Sequence, residues 1–249
     1  MTRAPSRTRS LLQLVRLQLQ WNLRAPQGLV YHVFMSGVVL YLLAHLGGTP
    51  AYLGVLVPGV MALVTTSRAL QGVAVTVSYM RRYGEWRTMR ASPIPTWLFL
   101  AGFVLSSMVI TLVVVAAVLC LAYLLLGYTY SGNYLLLAAY TAGGFVAFAA
   151  LGLVVTYLIS SPQAVTSIIN VLFFVMMISS NALTVTDAPW LEAVSVVSPM
   201  TAFVRLLRDE SHGAGLAPAW WLSVATLAAW CAVASMLAIR LARARVEEA

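Results

Sequence analysis

The chain has 249 residues, of which 61% are hydrophobic and only 9% charged, against about 25% charged residues in an ordinary soluble domain. Too few polar side chains are present to cover a water-soluble fold of this size, and the mean hydropathy of +0.89 agrees; disorder, coiled-coil, collagen and disulfide-scaffold classes are excluded too. The net charge of +8 comes from arginines, with no lysine anywhere, which on a membrane chain points to inner loops and lipid headgroups and not to nucleic acid.

Residues 1–27 form a basic N-terminal segment with Arg3, Arg7, Arg9, Arg16 and Arg24. Gln13, Arg16, Gln20 and Arg24 recur at three- and four-residue spacing, with Leu12, Val15, Leu19 and Leu23 on another stripe. This pattern predicts a helix lying in the inner interface with its arginines on anionic headgroups. Gln18 and Asn22 fall within the apolar side, so a plain basic tail is the alternative. Glutamines and Arg16 interrupt the run at 11–23, and the next run is too long for a signal-peptide core, so the segment reads as uncleaved.

Apolar stretches follow at about 28–46, 52–76, 98–126, 134–159, 164–184 and 219–239. They lack a two-residue alternation and are far longer than a barrel strand of about 10 residues. The predicted class is therefore all-α, a polytopic membrane protein with a six-helix domain over 28–239 and a basic tail over 240–249. With both termini inside, the inner segments hold most of the arginines, including Arg81, Arg82, Arg87, Arg90, Arg240, Arg243 and Arg245. The positive-inside rule then predicts cytoplasmic termini in a cell membrane. Arg68 is the exception, because it lies inside the second span about 24 Å along a helix from Tyr52. Either it snorkels to the inner headgroups, or it faces a hydrated cavity or an anion.

Small residues mark helix contacts: Ala138, Ala142, Gly143, Ala147 and Ala150 in the fourth span, Gly102 and Ser106 in the third. Tyr128, Tyr130 and Tyr134 cluster at the predicted outer interface, where tyrosine is expected in any case. Cys120 and Cys231 sit in apolar runs and read as small buried hydrophobes.

Two segments outside the spans carry more information. In the loop 81–97, Tyr83, Trp86 and Met89 recur every three residues among arginines and stop at Ser92-Pro93. A short helix there would present an apolar ridge suited to a partner's groove; alternatively, the arginines merely retain the loop inside. The outer segment 185–217 contains Ser198-Pro199 and is too apolar at Leu191, Val194, Val197, Met200, Phe203 and Leu207 for a loop lying in water.

The stretch from Gly84 to Pro93, followed by Trp97 and the third span, resembles the signature of permease subunits of type-2 ATP-binding-cassette (ABC) exporters. Arg82-Tyr83 stands where that family commonly has an acid, and the only carboxylate of the loop, Glu85, follows the glycine. The run Val197-Ser198-Pro199-Met200-Thr201 through Arg208 is similar to the Asn-Pro-Leu-Thr…Leu-Arg stretch between the fifth and sixth spans of the same family. The resemblance implies a cytoplasmic coupling helix using Tyr83, Gly84, Glu85, Trp86, Arg87, Met89 and Arg90. It also implies an outer re-entrant segment with Pro199, Met200, Phe203, Arg205 and Arg208. A second permease subunit and a separate ATPase subunit that binds ATP and Mg would be the partners. Thr65, Thr66, Arg68, Asn170, Ser180 and Asn181 are candidates to line a path where two permeases meet, or else bond within their own bundle.

The chemistry agrees with that division of labour. No G-x-x-x-x-G-K-[ST] phosphate loop exists, and without lysine none is possible. No carboxylate lies in a predicted span, which counts against an ion-coupled secondary transporter. An intramembrane enzyme built on His32 or His45 lacks a G-x-S-x-G nucleophile, and His212 has no Cys or His neighbour at metal-ligand spacing. No catalytic residue, metal or cofactor is expected in the chain. The short loops resemble drug-resistance efflux permeases and imply a hydrophobic or amphipathic small molecule, drug or lipid, as cargo, with polysaccharide or lipid-linked glycan export as the neighbouring alternative.

Overall fold

The computed structural model describes residues 7–24, 26–47, 49–84, 95–183, 197–211 and 220–247. Among these residues the fold is helical throughout: α1 (Arg7–Arg24), α2 (Gln27–Gly47), α3 (Pro50–Thr66), a π-helical segment (Ser67–Val73), α4 (Ala74–Arg82), α5 (Thr96–Leu126), α6 (Tyr134–Leu158), α7 (Pro162–Ser179), α8 (Pro199–Ser211) and α9 (Trp220–Glu247). Six helices are long and apolar enough to cross a membrane, the second being the continuous rod Ala51–Arg82 made of α3, the π segment and α4. The chain is a multi-pass membrane protein.

That rod is the centre of the bundle. Two thirds of its most apolar stretch is buried, against 11% in α2, because Leu56, Val57, Val60, Met61, Ala69, Leu70, Val73 and Val77 all face other helices. Pro58 sits within α3 without ending it. At 32 residues the rod is about 48 Å long at the α-helical rise, so it exceeds a hydrocarbon core of about 30 Å. It ends at Gly84, whose φ of +76° is the left-handed conformation that favours glycine.

Close backbone approach fixes how the other spans meet it. A Cβ on Gly152 of α6 would lie 2.7 Å from the Leu70 carbonyl oxygen, and one on Gly144 would lie 2.6 Å from the Phe203 ring of α8. The expected small-residue face of α6 is therefore only partly the contact face. Ala147 and Ala150 are buried, whereas nothing approaches a Cβ on Gly143, which instead lines an apolar cavity of about 520 Å³ between α5, α6, α8 and α9. Packing, not composition, selects Gly144 and Gly152 over Gly143.

The small pair in α5 meets α1, which is not among the six helices long and apolar enough to cross a membrane. A Cβ on Gly102 would lie 3.2 Å from Leu14 of α1, and Ser106 donates a 2.6 Å hydrogen bond to Gln18 Oε1. The α1 surface turned inward thus carries Leu11, Leu14, Val15, Gln18 and Leu19, while Leu12, at 66% exposure, faces away. Gln18, which breaks the apolar stripe in sequence, is the residue that reaches Ser106. Gln13, Arg16, Gln20 and Arg24 are exposed as their spacing predicts, next to Leu17 and Trp21, which are exposed as well.

The tightest junction joins α3 to the end of α7. A Cβ on Gly59 would lie 1.7 Å from the Ala182 carbonyl oxygen, a backbone atom that cannot swing aside. Gly59→Ala is accordingly expected to destabilise the protein by about 3 kcal/mol or more, at the upper end of overpacking costs. Gly143→Ala, with open space around it, should leave the unfolding midpoint in detergent unchanged. Equal midpoints for the two variants would contradict this packing.

Candidate functional site

Three arginines on α4, α8 and the π segment organise the polar chemistry of the bundle. Helix C-termini leave carbonyl oxygens without intrahelical partners, and inside a membrane no water is available to satisfy them. Two of the arginines answer that need at opposite ends of the molecule.

At the end where α4 leaves the bundle, Arg81 donates to the Thr156 carbonyl oxygen in the last turn of α6. Its guanidinium also lies 5.2 Å from the Tyr157 ring centroid, within range of a cation–π interaction. The single proton of the Thr156 hydroxyl is shared between the Ala74 and Gly152 carbonyl oxygens, 3.1 and 2.9 Å from Oγ1. The base of α6 is therefore tied to α4 just before the chain turns at Gly84. Tyr83 is the last described side chain before that turn; it is 74% exposed and stacks on Tyr79 with ring centroids 6.0 Å apart. Glu85, Trp86, Arg87, Met89 and Arg90, expected to form the coupling helix, lie outside the described residues.

At the opposite end, α8 lies across α3, α6, α7 and α9. Pro199, Met200 and Phe203 are buried, Arg205 is exposed, and Arg208 reaches into the bundle. Its Nη2 donates to the Asn181 and Ala182 carbonyl oxygens, at 2.5 and 3.0 Å, beyond the end of α7, where a cation is also favoured by the helix dipole. Tyr52 donates to the neighbouring Leu183 carbonyl oxygen at 2.7 Å. Burial lowers the Arg208 pKa to about 10, with Tyr52 acting the other way, so the guanidinium stays charged at neutral pH. The chain reverses at Asn181, with φ of 50°, a conformation asparagine tolerates better than most residues.

A second clasp holds the same C-terminal end of α8. Glu210, buried, accepts a 2.6 Å hydrogen bond from the Asn133 backbone N–H, and Ser131 donates to the Ser211 carbonyl oxygen at 3.1 Å. A Cβ on Gly132 would lie 2.0 Å from the Glu210 carbonyl oxygen. Burial, then the Glu210 charge and the other tyrosines, raise the Tyr130 pKa well above its ordinary value, so its hydroxyl remains protonated. The tyrosine cluster of the 127–133 loop thus packs on α8.

The third arginine, Arg68, lies in the π segment. Its Nε donates to Thr111 Oγ1 of α5 at 3.1 Å, and its Nη1 is 3.4 Å from His32 Nδ1 of α2. Three spans converge at this point. Of the other candidate path residues, Thr65 and Ser180 are buried and donate to the Met61 and Met177 carbonyl oxygens of their own helix. Thr66 is fully buried with no hydrogen-bond partner for its hydroxyl. Asn170 is exposed on α7, and Asn181 is half-buried at the α7–α8 junction. These six do not form one cluster.

Sequence reasoning missed Tyr52 and Gly59 as partners of the α3–α7–α8 junction and Glu210 as the partner of the 127–133 loop. Tyr52 looks like an interfacial tyrosine and Glu210 like a loop acid. Only Pro58-Gly59 within a span was a usable signal, since glycine in a packed helix often marks close approach of another backbone. Replacing Arg208 by Met should leave the two carbonyl oxygens without their donor and destabilise the protein by about 2–5 kcal/mol. Arg208→Lys should retain more of the stability; thermal unfolding in detergent reads both, and a wild-type midpoint for Arg208→Met would refute the capping role.

No curated protein matches the chain significantly. The family model of the ABC-2 type transporter membrane domain matches residues 9–210. That span runs from α1 into α8, taking in the exit at Gly84 and both arginine-capped helix ends, so the chain belongs to the ABC-2 type transporter family, whose membrane domains are transport subunits.

Proposed function

We propose that the protein is the membrane subunit of an ABC exporter that moves a hydrophobic or amphipathic small molecule, a drug or a lipid, using ATP hydrolysis in a partner subunit. The observation that carries this reading is the family match over 9–210, joined to a chain that has no phosphate loop and no lysine with which to build one. Both termini and the loop after α4 are taken as cytoplasmic on the distribution of arginine. The α8 side then faces out, and α8 is the re-entrant element, apolar along the buried face that holds Met200, Phe203 and Leu207.

In this reading the ATPase docks on the loop that begins at Gly84, with Trp86 and Met89 as its apolar ridge and Arg87 and Arg90 beside them. A push on that loop enters the bundle through α4. Arg81 passes it to the base of α6, and the rod α3–π–α4 passes it to the α7–α8 junction. A rigid helix transmits such a displacement between ends because packed interfaces shift between discrete arrangements and do not deform continuously. Two permease chains, identical or paralogous, form the path.

The drug or lipid assignment is supported by the cavity of about 520 Å³ lined by Met108, Tyr140, Val146, Leu206, Leu227 and Cys231 among others. An apolar wall of this kind suits an alkyl or aromatic body and offers a sugar polymer almost no hydrogen bonds. Gly84 is a further point of test, because its left-handed φ sets the direction of the loop. In a reconstituted complex with the ATPase, Trp86→Ala and Gly84→Pro should abolish cargo-stimulated ATP turnover while the chain still inserts and folds. Unchanged stimulated turnover in Trp86→Ala would overturn the docking site.

A further inference from the structure

We infer that Arg68, held across the bundle by Thr111 and set beside His32, is an anion-binding residue within the membrane region, matched to the phosphate of an amphipathic molecule. The inference needs only that the chain spans the membrane, and it stands whether or not an ATPase docks at Gly84.

The argument begins with hydrogen-bond direction. His32 Nδ1 lies 2.6 Å from the Gly28 carbonyl oxygen. Two acceptor lone pairs do not approach so closely, so Nδ1 carries the proton and donates to that carbonyl. The same nitrogen therefore has nothing with which to accept from Arg68 Nη1, 3.4 Å away. Donor faces donor, and the only acceptor the guanidinium finds among the described residues is the Thr111 hydroxyl oxygen. Thr111 is fully buried and spends its own proton on the Ser107 carbonyl oxygen at 2.8 Å, which leaves its lone pairs to hold Arg68 Nε.

Among the described residues no carboxylate is paired with this charge, and every Asp and Glu of the chain lies outside the six spans in sequence. An arginine inside a membrane without an anionic partner is costly, and such residues sit where they bind something. Simple snorkelling would run the side chain along its own helix towards the headgroups. Instead Thr111 ties it sideways, across to α5 and beside α2. The local backbone adds to this, since a π-helical segment inserted in an α-helical rod is a recurrent feature of functional sites.

Depth selects the ligand. His32 is five residues into α2, about 8 Å along the helix from its start, so the open donors of Arg68 lie just below the headgroup level on that side. The outer surface of α2 at that level is exposed and apolar, with Tyr31, Phe34 and Met35. A phosphate seated on Arg68 would place an attached alkyl chain along this surface. Two guanidinium N–H groups match two phosphate oxygens in a charge-assisted pair.

The full-length protein, purified in a neutral maltoside detergent and titrated with dodecyl phosphate, should show a saturable rise in unfolding midpoint. Arg68→Gln should weaken the apparent affinity at least about tenfold, the loss expected for one charge-assisted bond. Arg240→Gln, at an exposed arginine of α9, should leave it unchanged. If Arg68→Gln does not fold, Thr111→Val keeps the charge and frees it, and should weaken binding about threefold to fivefold by loss of one hydrogen bond. Competition by millimolar inorganic phosphate would mark a site that reads the phosphate alone; binding of dodecyl phosphate through Arg68 without such competition would mark a lipid-type amphiphile. Wild-type affinity in Arg68→Gln, or in Thr111→Val where the former cannot be purified, overturns the proposal.

Discussion

A backbone carbonyl that ends a helix inside a membrane must find a donor from the protein itself. Much of this structure follows from how that requirement is met at the end of α7. There the Asn181, Ala182 and Leu183 carbonyl oxygens are served by Arg208 and Tyr52, and Gly59 lets the Ala182 carbonyl come within a distance that any side chain would block. One junction thereby joins α3, α7 and α8. The α8 helix is held by a cap as well as by apolar burial, which explains why an arginine stands on the face it turns to the bundle.

The same solution recurs at the other end, where Arg81 serves α6 through the Thr156 carbonyl oxygen. Arg81 stands on the central rod, and the junction that Arg208 serves meets the rod through Tyr52 and Gly59, so the rod is held at each end. Between them lies the π segment, against which Gly152 packs. A rod anchored at both ends with one irregular turn in its middle has a natural place to adjust when its ends move, and in the proposed mechanism that turn is also where Arg68 meets α2 and α5.

The architecture was legible in the sequence because hydropathy is a bulk property: twenty apolar residues in a row have few alternatives to a span. The first, third and fourth stretches agree closely with α2, α5 and α6, the second and sixth continue helically beyond their apolar parts to Arg82 and Glu247, and the fifth helix ends earlier, at Ser179. Specific contacts were less legible, since they depend on which face of a helix turns inward. Gly143 and Gly144 are neighbours of identical composition, yet one lines a cavity and the other packs on Phe203. Gln18 looked like a flaw in an amphipathic stripe and instead bonds Ser106. Of the proposed coupling residues only Tyr83 and Gly84 fall within the described residues, and Gly84 has the left-handed φ that favours glycine.

The family shows what kind of subunit this is; the energy source is the claim on which the functional account turns. It is tested by uptake of a fluorescent amphipathic cation into inverted proteoliposomes. The account predicts accumulation against a gradient only when the chain is reconstituted with its ATPase and supplied with ATP and Mg, with no effect of collapsing proton and sodium gradients. Accumulation by the purified chain alone, driven by an imposed ion gradient, would contradict it.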